Sequence, residues 1–456
     1  MLDDQLQPAA PPSLVRSLGV TGVLLLTLSV ATPASSVFVI VPGMLQVAGT
    51  GALWAMLLAG VVCVATAFIY AELSSAWPVA GGEYVAVAHT LGPLAGFVML
   101  GVNVFNNLFF PPVAALGISA VLSMIWPGLP TVPIAIAVVA ASTLVALLQI
   151  RINAWVTGVF LAVEMLALVA IVVLGFGDAV RPVTEFLTDP VMPQASSLVP
   201  ASPAAIGLAT SIAIFALNGY GAAVYFAEEM QDAPIRIARA ILLVLAATLA
   251  LEAVPLIAGL AGAPDLAAFL TRDDPFGALV SELGGRTLGG WVAIGIVVAI
   301  VNAVIAGILA TARFFYATAR DGSWGRPVDR WLAALHPRTA SPVAATLASG
   351  AIGIACCFVP LRLLLVLSGA GLVAIYAGMT LAVVAGRRSG ATAHAAYRMP
   401  LYPLAPLAAA PMLIGVAALN WLDVGEGRFA LLATLAQITL SLAYYWLVLH
   451  RRGWSP

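Results

Sequence analysis

The chain has 456 residues, of which 62% are hydrophobic and only 9% charged. A water-soluble globule carries roughly 25% charged residues, so this balance excludes one and defines an integral membrane protein. A net charge of -1 with no basic tail gives no electrostatic footprint for nucleic acid. All 19 basic residues are arginine, and alanine, glycine and proline are abundant, a usage that fits a GC-rich bacterial genome. Cys63, Cys356 and Cys357 fall inside apolar runs and give neither a disulfide framework nor a CxxC metal site. His89, His336, His394 and His450 are scattered without ligand spacing, so no metal or other cofactor is expected and a metal-dependent intramembrane enzyme is disfavoured.

Residues 1–15 hold Asp3, Asp4 and several prolines instead of a basic n-region, and read as a cytoplasmic tail followed by a retained span. A hydrocarbon core about 30 Å thick calls for about 20 mostly apolar residues per helix. Such runs predict twelve spans, at 16–45, 51–74, 92–125, 131–150, 154–176, 204–229, 236–262, 288–319, 343–359, 361–385, 401–421 and 428–450. Cytoplasmic ends retain positive charge. Only Arg181, Arg272, Arg286, Arg362 and Arg428 fall on one set of alternating ends, and the other arginines fall on the opposite set. An even number of spans with both termini in the cytoplasm follows, in a bacterial inner membrane.

Span one reads "SVATPASSVFVIVPG", with Pro33, Ser35 and Ser36 at its centre, and span six reads "FALNGYGAAVYFAEE", with Asn218, Gly219 and Gly221. Non-helical backbone at membrane depth survives only where protein or a water-filled cavity satisfies it. The interruptions open two successive groups of five spans, the pattern of a transporter built from repeated halves. Half-helix N-termini suit a carboxylate and freed carbonyls suit an ammonium or a cation, so a zwitterion fits both. Glycine and proline used only for close helix packing are the competing explanation.

Three further stretches carry a likeness to a known family. They are "AELSSAWPVAGGEYVAVAHTLGPLAGF" (Ala71 to Phe97), "YFAEEMQDAPIRIARAI" (Tyr225 to Ile241) and "ATARFFYATARDG" (Ala310 to Gly322). With the two breaks, they make the chain resemble the amino acid-polyamine-organocation (APC) transporters nearly end to end. The resemblance implies an all-α membrane protein with a 5+5 inverted repeat, helices one and six broken. The repeats would cover 16–176 and 204–385, with two additional C-terminal helices at 401–450. It also implies that Ala34, Ser35 and Ser36 receive a substrate carboxylate, that Phe215 covers the bound substrate, and that the carbonyls from Phe215 to Asn218, beside Gly219, face its amino group.

Departures from the family pattern matter. Ala34 and Ser36 replace flexible glycines, and Gly221 stands where many relatives carry an acid. Glu164 occupies a place where many relatives have a lysine standing in for sodium. It is expected to take up a proton, to bind a cation with help from Thr311, or to attract an amine-rich substrate; a structural acid is the alternative, and is favoured for Glu252. Asn103, Asn106 and Asn107 share a helix face by their spacing, with Asn107 the candidate substrate contact. Tyr376 is expected to serve interfacial or core packing, with a place in the outer gate as the alternative, and Glu228 and Glu229 to pair with loop arginines.

The resulting expectation is a secondary active transporter that moves an amino acid or related small amine across the bilayer by proton symport or exchange, with sodium still open. No GxxxxGK[ST] fingerprint supports ATP drive. A polyamine or ethanolamine permease is the rival substrate class, and a channel or membrane sensor on the same fold is the rival function.

Overall fold

A computed structural model describes residues 14–122, 128–194, 197–422, 424 and 427–456. Most of the expected N-terminal tail, residues 1–13, lies outside them. Among the described residues, nine helical stretches are long and apolar enough to cross a membrane, and Thr131–Ala146 and Val343–Cys356 are shorter apolar helices. The first stretch, Val20–Ala76, is 57 residues long, about twice what one crossing needs at 1.5 Å per residue. It turns back at Gly49–Gly51 before the helix Ala52–Ala76.

The centre of the molecule is the helix Arg286–Arg320. Every residue from Asn302 to Ala319 is buried in it, because small side chains such as Ala303, Ala306, Gly307, Ala310 and Ala312 let other helices close on it from all sides. Large apolar side chains on the rim point outward, among them Trp155, Leu166, Trp291 and Leu440. In water such a surface would be an aggregation hazard; in a bilayer it is the lipid contact.

The described residues are overwhelmingly helical, as an all-α membrane protein requires; a small ribbon in the 177–203 linker, Val191–Gln194 paired antiparallel with Ser197–Pro200, is an addition that the sequence did not announce. These strands are only four residues each and both carry proline, too short and interrupted for alternation to reveal them. Thr50 ties the ribbon to the first turn, its hydroxyl accepting from the Val191 N–H at 2.8 Å.

Candidate functional site: a cavity between two broken helices

Span one ceases to be an α-helix at Thr32. Proline lacks a backbone donor and disfavours helical geometry in the residue before it. Thr32 accordingly turns left-handed, with φ 43°, and Pro33 opens a new turn. The chain winds as a π-helix over Ser36–Ile40 and resumes as an α-helix over Val41–Ala48. Single π turns of this kind break the regular ladder and recur at functional sites.

Span six breaks after the helix Pro203–Ala216. Gly219 takes φ 116°, and the chain continues as a 3-10 helix over Tyr220–Glu229. The two breaks touch. The Ser36 hydroxyl donates to the Ala216 carbonyl at 3.2 Å, and a Cβ on Gly219 would stand 2.5 Å from the Cα of Ala31. Tyr376 holds the second break in place, its hydroxyl donating to Asn218 Oδ1 at 3.0 Å.

Beside the breaks lies a cavity of about 90 Å³, several times the roughly 10–15 Å³ that one water requires. Ser35, Ser36, Asn107, Phe215, Asn218, Gly219 and Thr311 all line it. Ala34 does not: its side chain is buried elsewhere and its amide is already engaged. Asn103, Asn106 and Asn107 face the cavity together, as their spacing dictates. Both polar atoms of Asn103 are buried without a partner, while Asn107 donates to the Tyr225 hydroxyl at 3.0 Å. Thr32, Tyr70, Glu83, Tyr225 and Ser368 add to the polar part of the wall, and the sequence alone does not point to any of them as a site residue. For Glu83, the paired glycines just before it were the available signal.

Glu164 is fully buried on the helix Ile150–Gly177. Its Oε1 accepts from the Ala34 N–H at 2.8 Å and from the Thr32 hydroxyl at 3.4 Å. A carboxylate suits that place, because the first amides of a helical segment lack partners within it and present the positive end of its dipole. Its Oε2 has no partner. Thr311 makes no direct hydrogen bond to Glu164 among the described residues. The Thr311 hydroxyl donates instead to the carbonyls of Gly307 and Asn107, at 2.8 and 3.1 Å, on the cavity side. Glu252 is buried with both carboxyl oxygens unpartnered among the described residues.

Where span one begins and span six ends, the two broken helices are tied together. The Leu18 N–H donates to the Glu229 carbonyl and the Gln231 N–H to the Leu18 carbonyl, each at 2.9 Å. Glu229 also forms a buried two-pronged ion pair with Arg313, and Glu228 pairs with Arg320 at 2.8 Å. Both arginines belong to the helix Arg286–Arg320, not to loops as expected.

A membrane bundle in which two interrupted helices meet at a small, largely apolar cavity with a few polar side chains in its wall has the build of a solute carrier. The chain belongs to the amino acid permease family, whose model matches residues 18–441, and is thus an APC-type permease. It is similar to an uncharacterized transporter of Mycobacterium tuberculosis, 30% identical over 344 residues, 75% of this chain and 73% of that protein. It is also similar to the methylthioribose transporter of Bacillus subtilis, 27% identical over 380 residues, 80% and 79% of the two chains. The Asc-type amino acid transporter 1 of Mus musculus is 25% identical over 336 residues, 69% and 59% of the two chains. These names describe transport across membranes, not chemical conversion.

Proposed function

We propose that the protein is a secondary active transporter that moves an amino acid or related small amine across the bacterial cytoplasmic membrane by alternating access. Both termini lie in the cytoplasm, and twelve spans form two five-helix repeats, 16–176 and 204–385, plus the C-terminal pair at 401–450. The observation that carries this reading is the contact between the two helix breaks, Ser36 to Ala216 and Gly219 to Ala31, beside a small-molecule cavity. Ser35 and Ser36 receive a carboxylate, the Ser36 N–H exchanging its Thr32 carbonyl partner for it, the segment from Phe215 to Asn218 receives an ammonium, and Phe215 and Asn107 contact the substrate. Rocking of the broken helices against the helix Arg286–Arg320 exposes the cavity to one side at a time.

Glu164 is the coupling residue in this scheme. Among the described residues no arginine pairs with it, so a proton is the simplest means of changing its charge. Ionised, it holds the Ala34 amide and steadies the first break; protonated, it holds that amide less firmly and lets the break rearrange. Sodium remains the alternative coupling ion, because a Thr311 hydroxyl that donates to the Gly307 and Asn107 carbonyls keeps its oxygen lone pairs for a cation. A polyamine or ethanolamine-type substrate is the second reading, favoured by Glu164 already occupying one amide of the carboxylate-receiving segment.

The test is uptake by the purified full chain in liposomes, against a panel of amino acids and amines, with and without a pH gradient. Saturable uptake that exceeds the imposed substrate gradient is expected. Flux that neither saturates nor exceeds the gradient would identify a channel instead.

A further inference from the structure

Glu83 opens the short helix Glu83–Leu91 in the connection after the second span, yet its side chain reaches the central cavity. Two glycines bring it there. Gly82 has φ 53°, and a Cβ on it would lie 2.3 Å from a methyl of Val224, so only glycine lets this turn press against the inner part of span six. Gly221 leaves room for Tyr70, whose ring carbon stands 2.9 Å from where a Cβ would be. The Tyr70 hydroxyl then donates to Glu83 Oε1 at 3.2 Å. Glu83 is 4% exposed and its Oε2 has no partner. Among the described residues lining the cavity, it is the one charged side chain. A buried carboxylate facing a cavity with no cation beside it lacks the partner that buried charges normally have.

We propose that Glu83 is the counter-ion for a cationic group of the transported molecule, so that the cavity selects solutes bearing an ammonium or guanidinium beyond any α-amino group, such as diamines and basic amino acids. The proposal rests on the transport reading above and narrows its substrate class. Burial pushes the Glu83 carboxyl up to about 7, so proton and cation compete for it around neutrality. The neighbouring titratable side chains, Tyr70, Tyr225 and Tyr376, are phenols with an ordinary value near 10. The charged groups on the packed elements have partners: Glu72 with Arg387, Glu228 with Arg320, Glu229 with Arg313, and Asp321 with the Tyr84 hydroxyl. His89 and His394 flank Trp77 and do not line the cavity.

The experiment measures binding of 1,4-diaminobutane, lysine and leucine to the purified full chain by thermal stabilisation, and their uptake into liposomes. Wild-type affinity for 1,4-diaminobutane should be about tenfold weaker at pH 6 than at pH 8, as expected for a group titrating midway, and this dependence should persist in His89→Gln and His394→Gln. Glu83→Gln keeps the shape and removes the charge, and should lower the preference for lysine over leucine by on the order of thirtyfold. Tyr70→Phe removes a donor to the carboxylate and should move the pH midpoint upward. An unchanged lysine-to-leucine preference in Glu83→Gln, wild-type diamine binding that is flat from pH 6 to 8, or an unmoved midpoint in Tyr70→Phe would overturn the assignment while leaving transport intact. A wild type that neither binds nor moves any of the three ligands would overturn both.

Discussion

Glu164 on the fifth span reaches the first span at its break and accepts the Ala34 N–H at 2.8 Å. That contact joins the backbone interruption to a protonatable group, and so the coupling role can be separated from the fold. Glu164→Gln retains an oxygen for the amide but no charge. Gradient-driven accumulation should be lost while exchange persists; a variant that still accumulates substrate under a pH gradient would refute the role. Glu164→Ala strips the amide of its partner as well and should cost about 1–3 kcal/mol of stability, visible as a lower melting temperature than that of Glu164→Gln.

Gly219 tests the cavity itself. At φ 116° and 2.5 Å from Ala31, any side chain must both strain its own backbone and push the two breaks apart. Gly219→Leu should abolish substrate binding, and Gly219→Ala should weaken it in the same direction. Normal affinity in Gly219→Leu, measured by ligand-induced thermal stabilisation, would place the substrate somewhere else.

The two breaks were legible in the sequence because Pro33 and Gly219 change what the backbone can do wherever they stand. Glu164 was legible as an anomaly, an acid amid "VFLAVEML", but its partner was not. Membrane helices are apolar on nearly every side, so periodicity does not reveal which face meets which neighbour, and neither the Ala34 amide beside Glu164 nor the carbonyls beside Thr311 can be read from the sequence. Nothing in the sequence places Glu83 at the cavity, because that depends on the close approach of Gly82 to Val224 and of Tyr70 to Gly221. The pairing of Glu229 with Arg313 inside a helix is hidden for the same reason, since nothing local marks Arg313 as buried.

The Arg313–Glu229 pair should behave as a buried ion pair does. Arg313 is 2% exposed, and its guanidinium also donates to the Leu309 carbonyl at 3.0 Å. Removing one partner leaves the other charged and dry, so Arg313→Met should cost about 3–5 kcal/mol. The double variant Arg313→Met, Glu229→Gln should recover much of that loss, because no lone charge remains. Equal melting temperatures for the single and double variants would show that the ion pair is not what holds this end of span six.

Asp274 gives a pH test outside the membrane-spanning segments. It caps the helix Pro275–Gly284, accepting from the Gly277 N–H at 3.0 Å. Burial, the largest influence, pushes its carboxyl up to about 6, above the ordinary value near 3.9. Between those two values the folded protein therefore binds the proton more than the unfolded chain does. Stability must fall as pH rises through this window and level off above about 6. Asp274→Asn keeps an oxygen for the cap and does not titrate. The difference in melting temperature between wild type and Asp274→Asn should thus shift against the wild type from pH 4 to pH 6, and a constant difference across that range would contradict the raised value.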